Sequence, residues 1–353
     1  MPFTILTALL ICCSSCSDDE QPYNDEQMDI NNEYPSNNSN GDNHISDNIF
    51  SITSTVEDVI SNPAFGDYGR LLFPVDRNVS PTMTLEQVST SNIYVWYSHI
   101  QPEKTVEIIN RLYGDAVAGN QIFYPIYSES EIATDHSKTD TGLFFFRGEK
   151  GKPFAVMNAG GGFMYVGAMH DSFPHALEVS KKGYNSFALI YRPDDPYNDL
   201  ARALEFIHDN ASELGVSVED YSLWGGSAGA RMAAILGNNS YLRQLTGRSD
   251  ISQAAAVIMQ YTGYSNAYRD DAPTYVCVGK NDGIANWRTM QNRLEALSSA
   301  GISTEFHAYD GLGHGFGLGT GTIAEGWIND AVKFWEKNKK FGTNTGIPPI
   351  YAN

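Results

Sequence analysis

The chain has 353 residues, of which 42% are hydrophobic and 12% aromatic, so it is long enough to bury a sizeable core. Its formal net charge of −19 at pH 7 argues against binding to nucleic acid or, through charge, to anionic lipid. Length alone allows one large α/β domain or two smaller ones.

The first 16 residues, MPFTILTALLICCSSC, join a short apolar run to small residues and a cysteine. The run is too short to span a bilayer as a helix and is typical of an export signal. Ser14, Ser15 and Cys16 resemble a bacterial lipobox, and the acidic SDDE after them resembles the export tag of surface lipoproteins in Bacteroidetes-type bacteria.

Residues 1–15 are therefore predicted to be a signal peptide. Cys16 is predicted to carry acyl chains, which would anchor the exported protein to a bacterial membrane, the outer one favoured, in the periplasm or at the cell surface. The lipid anchor would be the only membrane contact. An ordinary secretory signal is the alternative, and mass analysis of the mature N terminus distinguishes the two.

Residues 16–48 are dominated by Asn, Asp, Ser and Glu from Gln21 onward. Such a segment cannot bury enough apolar area to offset the entropy of ordering, and so it predicts a disordered tether. Residues 49–120 predict an N-terminal extension with helices at VEDVISN and PEKTVEIINRLYGDAV. The segment NIYVWYSHI within it fits either a strand or a helix.

From Gln121 onward, eight apolar runs rich in β-forming residues predict strands. The runs are Ile122–Tyr127, Gly142–Phe146, Pro153–Met157, Ser186–Tyr191, Tyr221–Trp224, Ala255–Gln260, Thr274–Val278 and Thr304–Tyr309. Helices are predicted at Pro174–Lys182, Asn198–Leu214, Ala228–Leu236, Trp287–Ala300 and Ile323–Trp335.

Strands that alternate with helices predict an α/β domain over residues 121–340, built on a doubly wound, mostly parallel, eight-stranded sheet. The first two runs lie too close together for a helical crossover, which predicts an antiparallel edge. Residues 341–353 are left as a C-terminal tail.

The motif Gly225–Gly229, GGSAG, is a G-x-S-x-G between the predicted strand YSLW and the helix that begins at Ala228. This context suits a nucleophile elbow, since the glycines permit a tight turn that exposes the oxygen of Ser227 at the end of the strand. The start of the helix favours developing negative charge. A purely structural turn is the alternative.

A serine nucleophile needs a base and a group that orients the base. His314 follows the last predicted strand in the glycine-rich loop DGLGHGFG, and Asp282 follows the strand before it in GKNDG. Asp310 and Asp271 are rival carboxylates. The other seven histidines lie before Ser227, in the tether, or within predicted elements.

The segment Asn158–Phe163, NAGGGF, follows the third predicted strand. A glycine-rich loop at this place can offer backbone N–H groups to a tetrahedral oxyanion, together with that of Ala228. A nucleotide site is disfavoured, because the chain has neither G-x-G-x-x-G nor a P-loop here.

Taken together, these motifs resemble the α/β-hydrolase superfamily, and most closely its esterases of the hormone-sensitive-lipase and hemicellulose acetyl-esterase type, over about Gln121–Lys337. The resemblance implies a catalytic triad of Ser227, Asp282 and His314 and an oxyanion hole of Gly161, Gly162 and Ala228. Gly160 is a further candidate donor. Ala159 stands where the family's His-Gly-Gly-Gly motif has its histidine.

The function implied is a serine carboxylesterase that cleaves short-chain esters of small molecules or carbohydrates, acetyl groups on sugars among them, with no metal or organic cofactor. Tyr165, His170 and Asp171 are expected near the entrance, where they would contact substrate; loop and helix-cap roles are the alternative. Residues 50–120 are expected to cover the site. A prolyl-oligopeptidase-like peptidase and a non-catalytic binding protein are the rival functions.

Overall fold

The structure, a computed structural model, describes residues 49–340. The predicted signal peptide, the lipidation of Cys16, the tether and the C-terminal tail lie outside the described residues and stay predictions. Over the described range, no helix combines the length and the apolar character needed to cross a membrane.

One eight-stranded sheet runs through the described residues. Its strands are β1 (Phe123–Pro125), β2 (Gly142–Phe146), β3 (Pro153–Asn158), β4 (Asn185–Ile190), β5 (Ser217–Gly226), β6 (Ala256–Gln260), β7 (Thr274–Gly279) and β8 (Thr304–Tyr309). Their spatial order is β1-β2-β4-β3-β5-β6-β7-β8. β2 pairs antiparallel with both β1 and β4, and all the other neighbours pair parallel. The predicted sheet and its antiparallel edge are confirmed.

Helices flank this sheet. They are α1 (Val56–Ile60), α2 (Leu85–Thr90), α3 (Pro102–Val117), α4 (Glu129–Thr134), α5 (Ala168–Asp171), α6 (Phe173–Ser180), α7 (Pro196–Asp209), α8 (Ala211–Leu214), α9 (Ala228–Leu236), α10 (Asn239–Thr246), α11 (Trp287–Ser299) and α12 (Trp327–Asn338), with 3₁₀ helices at Pro63–Leu72 and His136–Lys138. α9 packs on β5 and β6, while α12 packs on β6, β7 and α6.

Two predictions of secondary structure need correction. The segment at 92–100 is neither strand nor helix but a series of turns, in which Trp96 and His99 have positive φ angles of 76° and 57°. Residues in that region of φ interrupt regular structure. The helix predicted over Asn198–Leu214 is divided at Asn210 into α7 and α8.

Tryptophans anchor the central strand. The ring of Trp224 on β5 lies 6.2 Å from that of Trp327 and 6.5 Å from that of Trp335, both on α12. The indole N–H of Trp335 donates to the carbonyl oxygen of Asp220 at 2.7 Å, so this buried polar group is satisfied. β5 is therefore held firmly from one side, and it is the strand that leads into Ser227.

Candidate active site

Ser227 stands on the sharp turn between β5 and α9, with φ of 51° and ψ of −114°. This backbone conformation is strained for a non-glycine residue, and the surrounding contacts must hold it. The Ser227 N–H donates to the carbonyl oxygen of Gln260 at 2.9 Å. A Cβ on Gly225 would lie 2.3 Å from the backbone of Gly229, and one on Gly229 would lie 1.9 Å from the carbonyl oxygen of Asn158. Close packing thus requires both outer glycines of the motif.

The structure brings Ser227, His314 and Asp282 together at the C-terminal edge of the sheet. The Nε2 atom of His314 lies 3.1 Å from the Oγ of Ser227, and its Nδ1 lies 2.7 Å from the Oδ2 of Asp282. The side chain of Asp282 is fully buried, and its Oδ1 accepts the N–H groups of Ile284 and Ala285 at 2.8 Å each. A fixed carboxylate therefore orients the imidazole, whose free nitrogen faces the serine oxygen.

Neither rival carboxylate bonds to the imidazole. The side chain of Asp310 is 80% exposed and pairs with Lys280 at 3.0 Å. Asp271 forms a buried ion pair with Arg293 at 2.8 Å and accepts the side-chain amide of Asn238. Both carboxylates are engaged elsewhere, so geometry favours Asp282 as the group that orients the base.

The loop after β3 carries the predicted oxyanion donors. Gly161 and Gly162 have φ angles of 126° and 63°, which glycine adopts without strain. Within residues 49–340, the N–H groups of Gly161, Gly162 and Ala228 have no hydrogen-bond acceptor. Three backbone donors beside the serine are thus available for a developing negative charge.

Gly160, the further candidate donor, is already occupied. Its N–H donates at 2.7 Å to the Oδ2 of Asp171, a side chain that is only 1% exposed. The hydroxyl groups of Tyr97 and Tyr261 donate to the same carboxylate at 3.1 and 2.5 Å. Burial raises the pKa of Asp171 to about 6, and the three hydrogen bonds partly offset that effect. Gly160 is therefore removed from the set of oxyanion donors.

The three residues expected to contact substrate are buried, and that expectation is corrected. Tyr165 is fully buried, and its hydroxyl group donates to the carbonyl oxygen of Val95 at 2.7 Å. His170 is 8% exposed, and its ring meets that of Tyr94 edge-on with 4.1 Å between the centroids. Asp171 binds Gly160 as described above. Residues 165–171 therefore fold inward instead of bordering an entrance.

The N-terminal extension contacts both the loop after β3 and the loop that carries His314. Trp96 is 39% exposed, and a Cβ on Gly162 would lie 3.1 Å from its ring. The N–H of Ser98 donates to the carbonyl oxygen of Gly315 at 2.9 Å, and its hydroxyl group donates to that of His314 at 3.0 Å. Residues 96–98 therefore bridge the oxyanion loop and the histidine loop.

Sequence reasoning missed Trp96, Tyr97 and Tyr261. Tyr261 directly follows β6, at the sheet edge where Ser227, His314 and Asp282 also lie, so its position after a predicted strand was a usable signal. Trp96 and Tyr97 belong to an aromatic segment whose apolar residues follow neither the helical nor the strand period. The neighbouring residues did not indicate that this segment would lie beside the site.

Two buried histidines near the site predict sensitivity to acid. Burial lowers the pKa of His170 to about 3 and that of His175 to about 4. Since the unfolded chain takes up these protons near pH 6.5 and the folded chain does not, the free energy of unfolding falls as the pH drops below that value. Asp171 has the opposite effect between about pH 4 and 6. Because its pKa is raised in the folded state, the folded chain takes up this proton first, and the free energy of unfolding rises as the pH falls.

Two histidines outweigh one aspartate, so the free energy of unfolding should fall by more than about 1 kcal/mol between pH 7 and pH 5, at about 1.4 kcal/mol per pH unit for each proton. Urea unfolding at the two pH values measures this. His170→Phe should reduce the loss, and equal or greater stability at pH 5 would contradict the prediction.

Comparison with known proteins supports the fold. Residues 145–284 match the family model described as BD-FAE. A search of curated proteins gives no significant match.

Solved structures that resemble the chain include three esterases or hydrolases. They are Est2 from the Planctomycetes species Thermogutta terrifontis (TM-score 0.53, 19% identity, 64% of this chain and 94% of that chain), an acetyl ester-xyloside bifunctional hydrolase from Caldicellulosiruptor lactoaceticus (0.51, 18%, 61% and 95%), and the carboxylesterase Cest-2923 from Lactobacillus plantarum WCFS1 (0.50, 17%, 56% and 92%). At these identities the likeness concerns the fold. A mostly parallel eight-stranded sheet whose central strand turns sharply at a serine into a helix is the α/β-hydrolase arrangement, and the described residues have the α/β-hydrolase fold.

Proposed function

We propose that the chain is a serine carboxylesterase that hydrolyses short-chain acyl esters. The observation that carries the proposal is the hydrogen-bonded series from Asp282 through His314 to Ser227. A histidine held in this way can take the proton of a serine hydroxyl as the serine attacks a carbonyl carbon.

The reaction would proceed in two halves. Oγ of Ser227 attacks the ester carbonyl while Nε2 of His314 takes its proton, and the resulting oxyanion accepts hydrogen bonds from Gly161, Gly162 and Ala228. His314 then protonates the leaving alcohol, and the acyl group stays on the serine. Water repeats the sequence and releases the acid, while Asp282 holds the imidazole in its orientation.

A short acyl group suits the loops around this site. β6 ends at Gln260 and β7 begins at Thr274, so the connection between them has no room for a large apolar lid. Enzymes that take long-chain lipid need an extended apolar surface to receive it. This argues for acetyl and similarly small acyl groups.

A sugar is the proposed alcohol. Residues 89–92 and 94–100 line a cleft of about 520 Å³, which holds the ring of Trp96 together with the polar side chains of Ser91, Asn92 and Ser98. An aromatic ring offers a flat apolar surface, while hydroxyl and amide groups can bond to sugar hydroxyls. The similar enzyme from Caldicellulosiruptor lactoaceticus is described as an acetyl ester-xyloside hydrolase, which agrees with this choice.

The test is kcat/KM across nitrophenyl acetate, butyrate, octanoate and palmitate, with acetylated xylan and a peptide amide in parallel. We expect the highest values for acetate and butyrate, and release of acetate from xylan. Values that rise beyond octanoate would contradict the short-chain proposal. Amide cleavage with weak ester turnover would favour a peptidase, and no turnover of any substrate would favour a binding protein.

A further inference from the structure

The carboxylate of Asp171 connects four parts of the site. It accepts the N–H of Gly160 in the oxyanion loop, the hydroxyl of Tyr97 in the N-terminal extension, and the hydroxyl of Tyr261 after β6. It also lies against the nucleophile turn, because a Cβ on Gly226 would be 2.3 Å from its Oδ1. Gly226 directly precedes the nucleophile.

Within the described part of the chain, this buried carboxylate forms no ion pair. Among the ion pairs of residues 49–340, no lysine or arginine joins Asp171. Burying an ionisable group costs free energy unless hydrogen bonds compensate, and here three neutral donors do so. Burial raises the pKa values of Tyr97 and Tyr261 well above the usual range, so both phenols keep the protons that they donate.

The network also reaches the catalytic base. The ring of Tyr261 lies 5.0 Å from the imidazole of His314, centroid to centroid, while its hydroxyl group bonds to Asp171. A Cβ on Gly160 would be 2.9 Å from the Cβ of Ser227. The carboxylate of Asp171 therefore contacts the oxyanion loop, the nucleophile turn and Tyr261, whose ring lies beside the base.

We propose that Asp171 is a positioning residue that fixes the oxyanion loop against the nucleophile turn. By holding the N–H of Gly160, it leaves the next two N–H groups, those of Gly161 and Gly162, free to bind the oxyanion. The proposal rests on the proposed esterase function. It assigns to Asp171 an effect on the transition state that a role in folding alone would not produce.

Asp171→Asn tests this proposal because it keeps the size of the side chain. It replaces one carboxylate oxygen, which accepts hydrogen bonds, with an amide N–H₂ group, which can only donate them. The matched control is Asp310→Asn, which changes an exposed carboxylate on the loop that carries His314. For each protein we would measure kcat and KM for nitrophenyl acetate, the inhibition constant of an alkylboronic acid, and the thermal unfolding temperature. The boronate bound to serine is tetrahedral and stands in for the reaction intermediate.

For Asp171→Asn we expect kcat to fall about 10- to 100-fold with KM within about threefold, since small misplacements of catalytic groups have effects of this size. The affinity for the boronate should fall in parallel with kcat. The control should match the wild type. An unchanged kcat, or a lowered kcat with unchanged boronate affinity, would overturn the proposal.

If Asp171→Asn does not fold, Tyr97→Phe combined with Tyr261→Phe provides the same test, because it removes two of the three donors and keeps both rings. Parallel losses of kcat and boronate affinity support the proposal, and unchanged values overturn it. A wild type without ester hydrolysis would refute the proposed function itself, whereas an active wild type matched by the Asp171 variant would refute only the positioning role.

Discussion

Ser227→Ala is expected to abolish ester hydrolysis, lowering kcat by up to about 10⁶-fold, because the residues of a catalytic triad act as a unit and Ser227 is the proposed nucleophile. The fold should persist. Alanine keeps the Cβ of serine, and the contact that holds the turn is the backbone N–H of residue 227 on the carbonyl oxygen of Gln260. Nitrophenyl acetate hydrolysis and thermal unfolding measure the two effects.

His314→Ala should cause a loss of similar size, and the double variant should be little worse than either single one. Additive losses would indicate that the two residues act independently, contrary to the hydrogen bond between His314 and Ser227. Residual turnover above about 1% of wild type in a folded Ser227→Ala protein would show that another group performs the chemistry.

Asp282→Asn should lower kcat by about 10⁴-fold, because an asparagine can present an N–H₂ group to Nδ1 of His314 and favour the wrong tautomer. In the structure Nδ1 faces Oδ2 of Asp282 at 2.7 Å, a distance that requires an acceptor opposite a donor. The KM should change much less than kcat, since the aspartate acts through the imidazole.

Asp310→Asn is the comparison that decides between the carboxylates. Asp310 is exposed and pairs with Lys280 at the surface, and such surface ion pairs contribute little to the stability of the fold. The kcat of the Asp310→Asn protein should therefore stay within about twofold of the wild-type value. If Asp310→Asn proved more harmful than Asp282→Asn, with both proteins folded, then the orienting carboxylate would be misassigned.

Much of the fold was predictable because the sheet is buried. β4, β6 and β7 are buried along their whole lengths, so they read as continuous apolar runs between polar or glycine-rich turns. The glycines at 225 and 229 mark the nucleophile turn because steric contact excludes any side chain there. Patterns among neighbouring residues were therefore enough to predict both the buried strands and the turn at Ser227.

The parts that sequence reasoning missed depend on contacts between distant segments. Tyr97 and Asp171 meet across 74 positions of the chain, and Tyr261 and Asp171 across 90. Asp171 looked like a loop or cap residue near the entrance, since nothing beside it indicated that tyrosines from two other segments would bury it. Trp96, whose backbone is left-handed, likewise lies against Gly162, a residue distant in the chain.

Covalent labelling of the nucleophile tests the central claim most directly. The wild type would be treated with one equivalent of diethyl 4-nitrophenyl phosphate, and intact-mass analysis followed by peptide mapping would locate the adduct. We predict a single diethylphosphoryl group on Ser227, formed in proportion to the loss of nitrophenyl acetate hydrolysis and absent from His314→Ala protein. Complete inactivation with the adduct on another residue, or full activity with Ser227 modified, would contradict it.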